Sequence, residues 1–138
     1  MNKISKVIYT ARVHSTGGRE GAARSDDGRL DVALATPGTP AAGTNPEQLF
    51  AAGWSACFMA AIEIAAREAK VKLADGLAID SEVDLGSNDD GYLLGARLNV
   101  TIPGVDRATA EALVDKAHQT CPYSKLSRGN IEVQFTIA

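Results

Sequence analysis

Residues 51–66 read AAGWSACFMAAIEIAA, a stretch that is almost wholly apolar and that contains Cys57, one of two cysteines in the chain. No formal charge occurs over residues 48–62. The motif Asn-Pro-Glu at residues 45–47 supplies an N-cap, a proline at the first helical position and an acid in the first turn. The sequence therefore predicts a helix that begins there and ends near Val71.

This helix is apolar on all faces in its first half, so it must be covered on every side by a sheet or by a second copy of the chain. Its uncharged part, residues 48–62, is shorter than the about 20 residues that cross a bilayer, which favours a buried helix over a membrane span. Gly53 in its interior costs about 1 kcal/mol relative to alanine and marks a possible bend.

Alternating apolar residues predict strands on both sides of the helix. The predicted strands are Val7–Val13, Arg19–Ser25, Leu30–Leu34, Leu77–Leu85, Leu94–Ile102 and Ile131–Ile137. Gly17-Gly18 and Asp27-Gly28 are turn signals, and Asp106 is a predicted N-cap for a second helix that ends near Thr120. The order βββ-α-ββ-α-β predicts an α+β fold with antiparallel sheets and two main helices, in a single domain over residues 1–138.

The charge balance does not indicate a basic surface that would bind a polyanion. Seventeen acidic against fourteen basic residues give a net charge of −3 with no basic block, so neither a nucleic acid nor a membrane is a predicted partner. Residues 1–13 lack the layout of a secretory signal, and we predict a cytoplasmic protein. Two cysteines in a reducing compartment argue against a permanent disulfide and leave room for a transient one.

Cys57 has two interpretations. It is either an inert core residue, as buried free cysteines often are, or a reactive thiolate. A thiolate needs a cation, and the dipole of its own helix is too far away because Cys57 lies twelve residues after Asn45. Arg19, in the sequence TGGREG, is the candidate, since flanking glycines can present its guanidinium; the alternative is an ordinary exposed hairpin arginine.

Glu47 is a first-turn acid that can also brace Arg19 through a bidentate contact. On one unbroken helix, however, Glu47 and Cys57 are about 15 Å apart along the axis, too far to share one arginine. Either the helix breaks near Gly53, or Glu47 and Arg19 of one chain meet Cys57 of another.

Cys121 lies where the second helix ends, before Pro122 and a predicted polar loop over residues 124–130, which predicts a mobile and accessible thiol. The alternative is an incidental cysteine. A four-ligand zinc site would need both cysteines together with His14 and His118, so no metal is predicted. A Cys–His pair that uses His118 stays open.

Three stretches carry a resemblance that runs nearly from end to end: TGGREG around Arg19, GTNPEQLFAAGWSACF at residues 43–58, and CPYSKLSRGNI at residues 121–131. The chain resembles the organic hydroperoxide resistance (Ohr) proteins, a branch of the family that includes osmotically inducible protein C (OsmC). Lys125 and Leu126 depart from the SNATRGN that this branch often has, in the segment beside the second cysteine.

The resemblance implies a thiol peroxidase with an OsmC/Ohr-like fold, in which Cys57 is the peroxidatic cysteine and Cys121 the resolving one. Arg19 would stabilise the thiolate, and Glu47 would orient Arg19. It also implies an intertwined homodimer with active sites between subunits, no bound cofactor, and recycling by dihydrolipoyl groups on a lipoylated partner protein.

The expected reaction is the reduction of organic hydroperoxides to alcohols through a sulfenic acid and an intramolecular disulfide. Apolar neighbours of Cys57 favour alkyl or fatty-acid hydroperoxides; they are Phe50, Trp54, Phe58 and Met59. The alternatives are a less specific peroxidase of the OsmC type and a non-enzymatic module that binds a hydrophobic ligand.

Overall fold

The computed structural model describes residues 2–138. The chain forms two compact units, one up to Pro46 and one from Glu47 onward. A single domain over residues 1–138 stays a prediction. The elements in chain order are β1 (Val13–Thr16), a 3-10 helix (Gly18–Glu20), β2 (Ala22–Ser25), β3 (Asp31–Ala33), α1 (Pro46–Glu68), β4 (Ala78–Asn88), β5 (Gly91–Thr101), α2 (Arg107–Thr120), α3 (Pro122–Ser127) and β6 (Glu132–Ile137).

The first unit is a three-stranded antiparallel meander in the order β1-β2-β3. The predicted hairpin at residues 27–28 is confirmed, with Gly28 at a φ of +72° between β2 and β3. After β3 the chain runs through the predicted loop, and a single bridge joins Leu34 to Thr44 before α1 begins.

The predicted strand Val7–Val13 is wrong over nearly all of its length. Within residues 2–12 the structure has no strand, and Ile8 is 93% exposed. The reason is the length of the partner: β2 has four residues, Val13 already pairs with Ser25 at its end, and the chain then turns away into the next hairpin. Alternation of apolar residues marks a strand only where a neighbouring strand can pair with it.

The second unit holds the sheet β4-β5-β6. β4 and β5 form the predicted long antiparallel hairpin, whereas β6 runs parallel to β5. The expectation of purely antiparallel sheets is therefore wrong for this pair. Two helices, α2 and α3, connect β5 to β6, and a helical crossover returns the chain to the same end of the sheet, which produces a parallel neighbour. The predicted α+β class is confirmed.

The core of the second unit lies between this sheet and α1 and α2. Its fully buried large side chains include Trp54, Phe58 and Ile62 from α1 and Leu98 and Val100 from β5. The predicted cap of α2 is confirmed, because the Asp106 side chain accepts a hydrogen bond of 2.7 Å from the Thr109 N–H.

α1 differs from the sequence prediction in one respect. It has 23 residues and a mean hydropathy of 1.7 over its most apolar window, so it is long and apolar enough to span a bilayer, and the argument from length was wrong. One such helix is weak evidence for a span, since the core helix of a soluble protein has the same character. In the single chain Ala52 and Ala56 in its first half, and Ala60 just beyond, are exposed, so cover of this face by a second copy stays a prediction.

Candidate active site

Cys57 lies midway along α1 and is partly exposed, whereas its neighbour Phe58 is fully buried. The Phe58 ring stacks on Phe135 of β6 with 4.9 Å between centroids, which fixes this turn of the helix against the sheet. One turn earlier the Phe50 ring packs edge-on against Trp54 at 5.4 Å. The thiol therefore lies on a rigid helix, beside aromatic side chains and within reach of solvent.

Cys121 joins α2 to α3 and is fully buried. The expectation of a mobile, accessible thiol followed by a polar loop over residues 124–130 is wrong, because residues 122–127 are helical. Pro122 ends one helix and occupies the first turn of the next, a position that proline favours. Ser124 and Ser127 are buried on the inner side of α3.

The structure brings the two cysteines together. The Sγ atoms of Cys57 and Cys121 are 3.5 Å apart, and both thiols are free. A disulfide bond would shorten that separation by only about 1.5 Å. The arrangement can therefore form and break a disulfide with small movements of the two side chains.

The surroundings of Cys57 favour its neutral form. Burial raises the pKa of the Cys57 thiol, and the neighbouring Cys121 sulfur raises it further. The backbone N–H of Tyr123 lowers the pKa, because it donates to the sulfur and so stabilises the thiolate. Burial and Cys121 together outweigh the Tyr123 N–H, so the pKa of the Cys57 thiol is raised overall. A Cys57 thiolate at neutral pH therefore needs a cation in addition to these groups.

Arg19 lies in the 3-10 helix of the first unit and is exposed. The predicted turn is confirmed, with φ of +69° at Gly17 and +58° at Gly18, values that favour glycine. At Gly21 a Cβ would lie 1.7 Å from the Thr16 carbonyl oxygen, so this tight loop requires glycine on both sides of the arginine. Arg19 and Cys57 belong to different units of the chain. A contact between them therefore stays a prediction.

Glu47 lies in the first turn of α1, as predicted. The helix continues without a break through Gly53, so the alternative of a break there is wrong. Glu47 and Cys57 consequently lie about 15 Å apart along the axis. Of the two arrangements that the sequence allowed, only a contact between chains remains, and it stays a prediction.

Comparison with known proteins places the chain in a family. The model of the family described as OsmC-like protein matches residues 37–136. The chain belongs to this family. It is 50% identical, over the full length of both chains, to the organic hydroperoxide resistance protein of Xanthomonas axonopodis pv. citri. It is also 44% identical to organic hydroperoxide resistance protein OhrA of Bacillus subtilis, covering 98% of this chain and 99% of that protein.

Solved structures of OsmC-like proteins share the fold. The organic hydroperoxide resistance protein OsmC from Legionella pneumophila superposes with a TM-score of 0.90 at 42% identity, covering 96% of this chain and 99% of that one. OhrB of Bacillus subtilis gives a TM-score of 0.86 at 39% identity, covering 96% and 100%. The chain is thus of the Ohr type within the OsmC-like family, and the resemblance found from its three motifs is confirmed.

His118 lies in the last turn of α2, three residues before Cys121, and a Cys–His pair that uses it stays a prediction. The His118 ring packs on Phe135 with 4.7 Å between centroids, and burial lowers the pKa of its imidazole. The Arg128 guanidinium donates to the His118 backbone carbonyl and so ties the end of α3 to α2. Among residues 2–138 there is no group of three or more histidine, cysteine or acidic side chains that could hold a metal ion.

Sequence reasoning missed two residues of the site, Tyr123 and Gly53. Tyr123 follows the Cys-Pro pair, and an aromatic residue next to a candidate redox cysteine was a signal that was available. Gly53 was noted only as a possible bend, although a glycine inside an apolar helix also indicates the close approach of another group. In the structure a Cβ at Gly53 would lie 2.9 Å from the Tyr123 hydroxyl.

Lys125 and Leu126, the departures from the usual pattern of the branch, are both exposed on α3. The inner side of this helix is formed by other residues, Ser124 and Ser127. The departures therefore change the outer surface of the helix that follows Cys121.

Proposed function

We propose that this protein is a thiol peroxidase that reduces organic hydroperoxides to alcohols. The observation that carries the proposal is the separation of 3.5 Å between the sulfurs of a partly exposed cysteine and a buried one. The names of the relatives, organic hydroperoxide resistance proteins, support the substrate class.

In the first step the Cys57 thiolate attacks the distal oxygen of the hydroperoxide and the O–O bond breaks. The alkoxide takes up a proton and leaves as the alcohol, while the sulfur becomes a sulfenic acid. Aromatic side chains near Cys57 favour a substrate with an apolar group over hydrogen peroxide. The carbon chain would lie against Phe50, which is only partly buried and whose ring packs on Trp54.

In the second step the Cys121 thiol attacks the sulfenic sulfur, a disulfide forms and water is released. The short distance between the sulfurs supports this step, because no segment of the chain has to unfold for them to meet. Burial keeps Cys121 away from other thiols, and a dithiol that reduces the disulfide would therefore attack the sulfur of Cys57.

The proposed reductant is a dihydrolipoyl group on a partner protein, which transfers two electrons and two protons and leaves as the cyclic disulfide. We place this cycle in the cytoplasm, with no bound cofactor. An attack on Cys57 suits a dithiol on a long flexible arm, because that sulfur is partly exposed and its aromatic surroundings accept an apolar chain.

The proposal also includes a homodimer in which Arg19 and Glu47 of one subunit stabilise the Cys57 thiolate of the other. Three features support it: the unbroken helix that separates Glu47 from Cys57, the raised pKa of the thiol, and the apolar surfaces left exposed. Those surfaces are Ile4, Val7, Ile8 and Tyr9 near the N-terminus and Ala52, Ala56 and Ala60 on α1.

The test is rapid mixing of the fully reduced protein with cumene hydroperoxide in the absence of a reductant, beside Cys57→Ser. We expect the wild type to consume one equivalent per subunit and to lose both thiols, and Cys57→Ser to consume none. A carrier of hydrophobic ligands would leave both peroxide and thiols unchanged, and that result would refute the proposal.

Turnover with excess peroxide then tests the reductant. We expect dihydrolipoamide to sustain turnover, and glutathione and thioredoxin to sustain it poorly. Equal rates with all three would refute the lipoyl step and favour a less specific peroxidase.

A further inference from the structure

The segment after Cys121 approaches α1 closely at Gly53. A Cβ on this residue would lie 2.9 Å from the Tyr123 hydroxyl oxygen and 3.5 Å from the ring carbon that bears it. The first distance is shorter than a Cβ tolerates, so any residue other than glycine would displace the tyrosine ring. Phe50 packs against the same ring with 5.8 Å between centroids, which limits where the ring can move.

Tyr123 also touches the reacting sulfur through its backbone. It lies in the first turn of α3, two residues after Cys121, and its N–H donates to the Cys57 sulfur. The same short segment therefore carries the resolving thiol and a hydrogen-bond donor to the peroxidatic one. A shift of the Tyr123 ring away from α1 would move both relative to Cys57.

We propose that Gly53 and Tyr123 form a positioning pair, in which the close contact of the tyrosine ring with α1 holds the start of α3 so that the Cys121 thiol meets Cys57. The proposal deepens the proposed function, since it rests on closure of this disulfide as a step of the cycle. In that step the Cys121 S–H and the Cys57 sulfenic acid give a disulfide and water, and the hydroperoxide has already supplied the oxidation.

Glycine is disfavoured inside a helix, so alanine would be preferred at this position if nothing approached it. Gly53→Ala strengthens the helix and interferes only with the contact, which makes loss of folding an unsuitable explanation for its effect. Tyr123→Phe removes the atom that Cβ would meet at 2.9 Å and leaves the backbone N–H in place. The double variant therefore relieves the clash without restoring the glycine.

The experiment measures disulfide closure in four proteins: wild type, Gly53→Ala, Tyr123→Phe and the double variant. Closure is followed by thiol titration after one equivalent of cumene hydroperoxide. It is measured separately with diamide, an azo oxidant that takes up the two thiol hydrogens and needs no peroxidase activity. We expect Gly53→Ala to close about tenfold more slowly than wild type with both oxidants, because displacing reacting groups by about 1 Å has effects of this size or larger.

The double variant should close within about twofold of Tyr123→Phe, since the two substitutions act through one contact. Gly86→Ala is the control for glycine replacement, because a Cβ at Gly86 meets nothing within 4 Å. A second readout is the ionisation of Cys57, followed by thiolate absorbance in a Cys121→Ser background. Gly53→Ala should shift this titration to higher pH, because the Tyr123 N–H moves away from the sulfur.

The inference is overturned if Gly53→Ala closes the disulfide as fast as wild type, or if it is slow and the double variant is several-fold slower than Tyr123→Phe. The proposed function fails separately, if wild type does not consume the hydroperoxide. Disulfide closure by diamide would then still test the contact between Gly53 and Tyr123, because this oxidant needs no peroxidase activity.

Discussion

At Cys57 the local environment opposes the charge that the proposed chemistry requires. Burial and the Cys121 sulfur raise the pKa of this thiol, and one backbone N–H lowers it. A free thiol with a raised pKa reacts slowly with peroxides at neutral pH, because only the thiolate is nucleophilic. A cation brought in by the partner subunit would resolve this conflict, and a guanidinium suits the role because it stays charged at every working pH.

The pH dependence of the reaction tests the role of Arg19. If its guanidinium stabilises the thiolate, Arg19→Ala raises the pKa of Cys57, and the rate at neutral pH falls about tenfold for each unit of that rise. The sign follows from the reactive form: the rate increases as pH rises through the pKa, so the variant should recover at alkaline pH.

Single-turnover rates with cumene hydroperoxide across a pH series provide the measurement. Arg24→Ala is the matched control, because Arg24 is an exposed arginine of the same meander and pairs with Asp31 at 3.7 Å. Identical pH profiles for Arg19→Ala and wild type would remove Arg19 from the mechanism.

Cys121→Ser should separate the two chemical steps. The serine hydroxyl does not resolve a sulfenic acid, so this variant should consume one equivalent of hydroperoxide and stop with oxidised Cys57. Dimedone labelling followed by mass spectrometry should find the adduct on Cys57 in the variant and little of it in wild type, where closure is fast. A disulfide-linked or unlabelled product in the variant would contradict the assignment of Cys121 as the resolving thiol.

At the scale of single elements, α1 supplies both the thiol and part of the core that holds it. Ile62 is fully buried, whereas Ile64 on the same helix is 51% exposed. Ile62→Ala should therefore cost about 2–5 kcal/mol of unfolding free energy through lost burial and the cavity left behind. Ile64→Ala should cost clearly less, since half of its side chain already meets water in the single subunit.

Urea denaturation of the reduced proteins measures both variants. Equal losses in the two would mean that the outer face of α1 is buried in solution as well. That result would point to a second copy of the chain covering this helix.

The sequence predicts those elements whose signals are local. Asn-Pro-Glu at residues 45–47 and the Asp106 cap fix the starts of both long helices, because each satisfies free backbone groups at a helix N-terminus. The hairpin of β4 and β5 follows from alternation over two adjacent segments with a turn between them. These features require no knowledge of distant parts of the chain.

Elements that depend on distant partners are missed. The six residues of α3 are too few to show a helical period, and the polar residues among them suggest a loop. Cys121 is buried because it belongs to a core formed by α1, α2 and the sheet, which the local sequence does not reveal. The parallel direction of β6 could have been predicted, since a helical crossover between neighbouring strands favours it.

At the scale of the whole molecule, the candidate site was predicted in part. The pairing of Cys57 with Cys121 came from the family resemblance, and the structure places their sulfurs together. Arg19 and Glu47 stay predictions: α1 is unbroken between Glu47 and Cys57, and we propose that a second subunit supplies the arginine. The N-terminal segment has the alternation of a strand, although residues 2–12 form none in the structure.

Mixed dimers test this arrangement directly. Cys57→Ser and Arg19→Ala are each expected to be inactive or slow as homodimers. If the arginine acts across the interface, a dimer with one subunit of each kind has one complete site, formed by the intact Cys57 of one and the intact Arg19 of the other. Random assembly makes half of the dimers mixed, so co-expression should recover about a quarter of the wild-type activity per subunit.

If the arginine acts within its own chain, each site of the mixed dimer lacks one of the two residues and no activity returns. Co-expression with distinct affinity tags, followed by tandem purification, isolates the mixed species and should raise its activity to about half of wild type. Light scattering on the same sample checks that it is a dimer. A pure mixed dimer with no more activity than Arg19→Ala alone would place the arginine and the thiol in one chain, and the distance along α1 would then exclude Glu47 as the group that orients it.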